Sequence, residues 1–261
     1  SGSVSGSDFA PQLQYEFGHI RGVMSSVTST FSLGGNLNVA RYALGGAGIG
    51  NAALAFGGQT PASPNPRVTC TEEYNGSVWA TANVLDQAGS GHSIGTGIQN
   101  AALVKGRAWG SNGMKTEGYD GNTWSQLANS ADYGFYRSTT GTFNAALSIG
   151  GRETQTHTEH FNGTTWSEGG TMNVGRAQAA SIGLENAALT MGGHGSPSLN
   201  FNNACTEHYN GTTWSVGGVR ITSNSYMSAY GGETEAAIVG GSPSNTNVQY
   251  YDGTTWTTGT D

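Results

Sequence analysis

Tyr209-Asn210-Gly211-Thr212-Thr213-Trp214 reads as the end of one strand, a tight turn and the start of the next, and the chain writes this phrase five times. The other copies are Tyr74-Asn75-Gly76…Trp79, Tyr119-Asp120-Gly121…Trp124, Phe161-Asn162-Gly163…Trp166 and Tyr251-Asp252-Gly253…Trp256. Asn-Gly or Asp-Gly between apolar residues is the strongest short-range hairpin signal, because a two-residue turn needs positive φ at both centres. The tryptophans are spaced 45, 42, 48 and 42 residues apart, so the hairpins belong to a repeat.

Working outward, each hairpin follows a second marker: Asn51-Ala-Ala-Leu54, Asn100-Ala-Ala-Leu103, Asn144-Ala-Ala-Leu147, Asn186-Ala-Ala-Leu189 and Glu235-Ala-Ala-Ile238. A glycine stands three residues before each marker (Gly48, Gly97, Gly141, Gly183, Gly232) and reads as a tight turn that needs permissive φ. One unit is therefore four short antiparallel strands: a before the glycine turn, b carrying Ala-Ala-Leu, c carrying Thr-Glu-x-Tyr, and d starting at Trp. Four strands per ~45-residue unit predict an all-β, five-bladed propeller. The blades are expected at about 31–79, 80–124, 125–166, 167–214 and 215–256, with residues 1–30 a Ser/Gly-rich extension. The small alanines suit inner strands near an axis, and each Trp and Tyr buries ~150–250 Å² in the wider gap between blades. Phe31-Ser32-Leu33-Gly34-Gly35 mirrors Trp166-Ser167-Glu168-Gly169-Gly170, so residues 20–35 are expected to help close the ring against the last blade. A sixth, partial blade from residues 12–35 is the competing count.

The order Arg, apolar strand, Gly-Gly, Glu-x-Tyr-Asn, Trp resembles the kelch repeat. Arg41, Gly57-Gly58, Glu72-Glu73-Tyr74 and Trp79 carry it in unit one, and Arg176, Gly192-Gly193, Glu207-His208-Tyr209 and Trp214 in unit four. Unit two departs with Lys105-Gly106-Arg107, and unit five with Gln249 in place of Glu and no Arg at the expected offset. Val4-Ser5-Gly6-Ser7…Phe17-Gly18-His19-Ile20 looks like the Ser/Gly-rich segments of fibrous marine-phage proteins. Asn162–Ser167 and Asn210–Ser215 are similar to propeller repeats of phage tail-fibre and virion structural proteins. That resemblance implies a virion location facing outward, with other fibre subunits as partners. A homotrimer suits a fibre, though nothing in residues 31–256 demands one.

Composition narrows the function classes. Charged residues make up 10% of the chain and the net charge is −7, which removes the basic footprint of a nucleic-acid binder. No apolar run approaches the ~18 residues of a membrane span, and no signal-peptide pattern is visible, so no membrane insertion is expected. Cys70 and Cys205 occupy one repeat position in non-neighbouring units and are expected to be free thiols.

Catalytic signatures find no support. Asp120-Gly121-Asn122-Thr123-Trp124 is similar to the sialidase Asp-box, which is itself a turn. Galactose-oxidase-like copper enzymes also use kelch propellers, but need a Tyr–Cys crosslink at the axis, whereas Cys70 and Cys205 fall on outer strand c. Gly46-Ala47-Gly48-Ile49-Gly50 lacks the following helix that would aim N–H groups at a phosphate. His157 and His160 have no helix to bring them onto one face as metal ligands, and His160 and His208 read as a solvent-facing repeat position. Glu72, Glu117, Glu159 and Glu207, with Gln249, form a ring of equivalents. It is readable as a cation ring, or, as favoured here, as buried acceptors for an adjacent blade's backbone or for Arg41, Arg137 and Arg176. The sequons at Asn75, Asn162 and Asn210 read as turn chemistry. No enzyme activity, cofactor or metal is expected.

Alternating strands put the b–c and d–a connections on one face of the disc, and that face holds the variation. Its b–c loops, 59–69, 107–115, 152–157, 194–204 and 242–247, carry Arg67, Trp109, Asn112, His194 and Phe201; the d–a segments add Tyr133, Phe135, Tyr136, Arg137 and Tyr226. Exposed aromatics beside amides stack on sugar rings and bond their hydroxyls. Trp109 is equally consistent with binding and with packing, and packing is favoured for Tyr133 and Tyr136. The expectation is a non-enzymatic binding domain taking a host-surface glycan or receptor through Trp109, Phe201, Arg67, His194, Asn112 and Tyr136. A virion structural protein and a kelch-type protein-interaction adaptor are the alternatives.

Overall fold

A computed structural model describes residues 34–62, 66–86, 94–105, 114–132, 135–152, 154–195, 201–242 and 248–259. It is a five-bladed β-propeller. Blade one is β1 (Gly45–Ile49), β2 (Ala52–Phe56), β3 (Thr71–Tyr74) and β4 (Trp79–Ala82). Blade two is β5 (Ile94–Ile98), β6 (Ala101–Lys105), β7 (Thr116–Tyr119) and β8 (Trp124–Gln126), and blade three β9 (Ser138–Thr142), β10 (Ala145–Ile149), β11 (Thr158–Phe161) and β12 (Trp166–Glu168). A short β13 (Arg176–Ala177) precedes blade four, β14 (Ala180–Leu184) and β15 (Ala187–Met191), β16 (His194–Gly195) and β17 (Phe201–Asn202), then β18 (Thr206–Tyr209) and β19 (Trp214–Val216). Blade five is β20 (Ser228–Gly231), β21 (Ala236–Val239), β22 (Gln249–Tyr251) and β23 (Trp256–Thr258). Each blade is an antiparallel sheet in a-b-c-d order. The expected N-terminal closure over 20–33 lies outside the described residues.

The blades are held by what lies between them. Each Trp ring packs on the aromatic across its own hairpin at 4.7–5.0 Å. The indole N–H then reaches the preceding blade's strand-c threonine at 2.9–3.0 Å: Trp124 to Thr71, Trp166 to Thr116, Trp214 to Thr158 and Trp256 to Thr206. Four apolar clusters fill the same gaps; one joins Leu54 and Phe56 of blade one to Ala102, Val104 and Tyr119 of blade two. On strand b, Ala102, Ala146, Ala188 and Ala236 let the preceding blade's Leu54, Leu103, Leu147 and Leu189 approach.

The glutamates are buried acceptors. Glu72 takes the N–H groups of Asn38 and Val39 and pairs with Arg41 at 3.1 Å; Glu207 takes those of Asn173 and Val174 and pairs with Arg176 at 2.6 Å. Glu159 accepts from Ala131 N and pairs with Lys105 and Arg137. The segment running into each blade is thereby tied to that blade's third strand. Cys70 and Cys205 are free thiols.

Four details of the sequence reading change. The Asn/Asp-Gly hairpins are four-residue loops: Tyr209 faces Trp214, Asn210 Oδ1 accepts the N–H groups of Thr212 and Thr213, and only Gly211 has positive φ (92°). The side chain replaces the second positive-φ residue as the turn's organiser. In blade five the turn glycine is Gly231 (φ 111°), not Gly232, because Gly231 pairs with Ala236 just as Gly48 pairs with Ala53. His160 and His208 do not face solvent: each bonds the next blade's Tyr209 or Tyr251 hydroxyl and its Glu185 or Glu233. The expected loop 194–204 carries strand on both sides of residues 196–200, since β16 pairs with both β13 and β17.

Candidate functional site

Strand a of every blade lines a central bore, and apart from Ile182 its lining residues are small or hydroxylated, among them Gly46, Thr96, Thr140, Ser181 and, in blade five, Tyr230. Such residues let five strands converge. Thr96 and Thr140 hydroxyls donate to the next blade's turn carbonyls, Gly141 and Gly183, at 2.6 and 2.7 Å. The bore is a polar cavity of about 320 Å³ toward the a–b turns. A second cavity of about 180 Å³ lies at the other ends of the strands, against Ile94, Arg137, Ala180 and Met227.

That second end is the mouth on the variable face. Ala43, Tyr136, Gln178 and Tyr226 have φ of 52°, 61°, 57° and 57°, and they are the only non-glycine residues with positive φ among those described. All four occupy one repeat position, five residues before the turn glycine. The left-handed region is unusual for bulky side chains and costs on the order of 1–3 kcal/mol each, so the surrounding structure must impose it. The imposing contacts run from blade to blade: Gln178 N donates to Tyr136 O at 2.8 Å, and Tyr226 N to Gln178 O at 3.1 Å. Tyr136, Gln178 and Tyr226 each precede a residue that lines the second cavity, Arg137, Ala179 and Met227, and the same position in blade two falls at His92, outside the described residues.

The side chains of this stair are neutral and polar. Gln178 Nε2 donates to the Tyr226 hydroxyl, and the Gln178 Oε1 atom is buried with no hydrogen-bond partner among the described residues. His194 stands edge-on to Tyr226 at 6.1 Å between ring centres; its Nε2 meets Ser225 Oγ at 2.9 Å and its Nδ1 is buried without a partner among the described residues. Burial holds the imidazole pKa below its ordinary value, so His194 is neutral at pH 7. Burial, with Tyr136 beside it, pushes the Tyr226 phenol up, and the hydroxyl stays protonated. Tyr226 remains 50% exposed and Tyr136 half-buried against Phe135 at 4.1 Å. Below them Arg137 is buried, its charge met by Asp132 at 3.1 Å and by Glu159.

No protein-family model matches the chain, and no curated protein does. Of the residues expected from sequence, Tyr136 adjoins Arg137 of the second cavity and His194 stands beside Tyr226, which adjoins Met227 of the same cavity. Arg67 is exposed on blade one, bridged through its backbone to Gln59 and from there to Tyr42. Phe201 sits opposite Gly195 in the β16–β17 hairpin. Trp109, Asn112 and Tyr133 lie outside the described residues. Sequence reasoning missed Gln178; its offset from the turn glycine carries the signal, but glutamine does not advertise a left-handed backbone. No metal-ligand group of three occurs among the described residues.

Proposed function

We propose that this chain is a non-enzymatic binding domain that takes a neutral, polyhydroxylated ligand, a glycan, at the mouth of the bore on the variable face. The observation carrying the reading is the strained stair Tyr136–Gln178–Tyr226 with His194 beside it. Phenol rings offer stacking faces, and an amide, an imidazole and hydroxyls offer donors and acceptors without net charge, which is what sugar rings require. Strain of this kind persists at recognition sites because a rigid frame holds it. The kelch-like order of the repeat and the phage-like Ser/Gly segments set the proposal in a virion context, as the receptor-binding knob of a tail fibre facing the host surface.

The test is glycan-array binding by the purified chain, with Tyr136→Gly and Tyr226→Gly alongside. Glycine adopts φ near 60° freely, so both variants stay folded, while binding falls at least ~10-fold, about 1.4 kcal/mol. Undiminished binding by both variants would remove the mouth as the site. Silence of the unaltered chain across a broad array would favour the second reading, a virion structural protein. That reading has its own observation: Ile49, Ile98 and Leu184, all at the position after the turn glycine, are 42–55% exposed on the opposite face.

A further inference from the structure

Every buried cation among the described residues faces a carboxylate, with one exception. Arg41 pairs with Glu72, Lys105 with Glu159, Arg137 with Asp132 and Glu159, and Arg176 with Glu207. The exception is Arg220, in the step from blade four to blade five, which is 3% exposed. Its Nη2 donates to Asn224 Oδ1, while Nε and Nη1 are buried with no partner among the described residues. A guanidinium is charged at neutral pH and can only donate, so two of its donor atoms and its charge lie uncompensated.

The neighbouring side chains are already committed. Gln249 stands where the other blades have glutamate; its Oε1 accepts from Ile221 N at 3.1 Å and its Nε2 donates to Thr222 Oγ1. Glu207 is taken up by Arg176 at 2.6 Å and by the N–H groups of Asn173 and Val174. Arg176 itself is close enough to repel Arg220. The two guanidiniums flank Gly192, Arg176 through the Gly192 carbonyl and Arg220 through its Cα face. Two buried positive charges thus share one carboxylate, an excess of one.

Gly192 has no side chain on that face: a Cβ there would lie 2.3 Å from Arg220 Nη1 and 2.4 Å from Met227 Cε, so the two side chains meet over bare backbone. Met227 also lines the second cavity, of about 180 Å³, and an unbranched thioether shifts readily. We propose that Arg220 binds a monovalent anion of chloride size, which enters from the second cavity past Met227 and supplies the charge that Gln249 lacks. One negative charge balances the excess, and a monatomic ion asks for the least displacement of Met227.

The experiment follows thermal unfolding of the full chain as sodium chloride replaces sodium methanesulfonate, a bulkier anion of the same charge, at constant ionic strength. Arg220→Met and Asn224→Asp are run alongside; the second sets a carboxylate against the same guanidinium, in place of the ion. Without chloride the guanidinium is bare and the unaltered chain is at its least stable. By ~0.3 M chloride it gains at least ~2 °C in melting temperature, as a ligand of the folded state alone requires. Neither variant gains. A response in the unaltered chain no larger than in Arg220→Met overturns the proposal, and so does a full response in Asn224→Asp, which would place the ion elsewhere. Bromide gives a direct readout: in bromide-soaked crystals its anomalous X-ray signal falls beside Arg220 Nε and Nη1, and the absence of a peak there overturns the assignment.

Discussion

Lys105 ends strand b of blade two where the other blades have Phe56, Ile149, Met191 and Val239. It is fully buried between blades, bonded to Glu159 and to Ser148 Oγ, with Arg137 competing for the same carboxylate, Asp132 beyond it and the Trp166 ring 4.7 Å away. Burial, then the Arg137 charge, bring its pKa down to about 7 from 10.5, outweighing the pull of Glu159. The unfolded lysine keeps its proton up to about 10.5, so between these values the unfolded chain binds more protons and stability rises with pH. The gain is at most ~1.4 kcal/mol per pH unit. Melting temperature followed from pH 7 to 9 should climb, and Lys105→Met, which borrows the Met191 solution, should flatten the climb. A wild-type profile that is flat or falling would reject the assignment. In the sequence Lys105 showed only as a departure from a double glycine. The glutamates were legible because they recur at a fixed offset from an aromatic and a Trp, whereas which cation meets each depends on loops of different length: Arg41 and Arg176 stand seven residues before the turn glycine, Arg137 only four.

At the level of strands and turns, blade number, strand order and the packing role of each Trp were readable, because hydrophobic and turn residues repeat with one period. Register within a blade was less so. Gly231 ends β20 and Gly232 follows it, and the spacing to Ala-Ala-Ile pointed to the wrong one. The ladder decides it: a Cβ on Gly231 would meet Glu235 O at 2.2 Å, the same clash as Gly48 with Ala52 O, while Gly232 has open space. Gly231→Ala should therefore cost at least ~1–3 kcal/mol, with Gly232→Ala within about 0.5 kcal/mol of the unaltered chain. Chemical denaturation of the two variants checks this, and equal losses would restore the other register. The bore-mouth stair escaped notice for a related reason: its conformation is enforced by backbone bonds between blades, and tyrosine and glutamine carry no mark of it.

Stability of a repeat array is close to a sum over its units and interfaces, so a defect in one blade subtracts directly from the whole. Blade five departs from the repeat in concert: Asn224 stands at the position of Arg41 and Arg176, and Gln249 replaces the glutamate, a neutral exchange for an ion pair. A cation nevertheless enters from another position. Six residues past each Trp the chain is buried between blades, as Leu85, Ser130 and Met172, and in blade five that residue is Arg220. Its Nη2 donates to Asn224, but Nε and Nη1 have no partner among the described residues, and burial and the Arg176 charge lower its pKa to about 10. The Trp256 ring, 6.0 Å away, offers only a weak cation–π contact in return. Exchanging a buried, poorly compensated charge for an apolar side chain of similar length removes a desolvation cost and is often stabilising by ~1–4 kcal/mol. Arg220→Met, the residue blade four already uses, should raise the melting temperature of the whole chain and slow hydrogen exchange in β20 to β23. A lowered melting temperature would mean that the guanidinium is satisfied in solution, and that blade five is not the weak member of the ring.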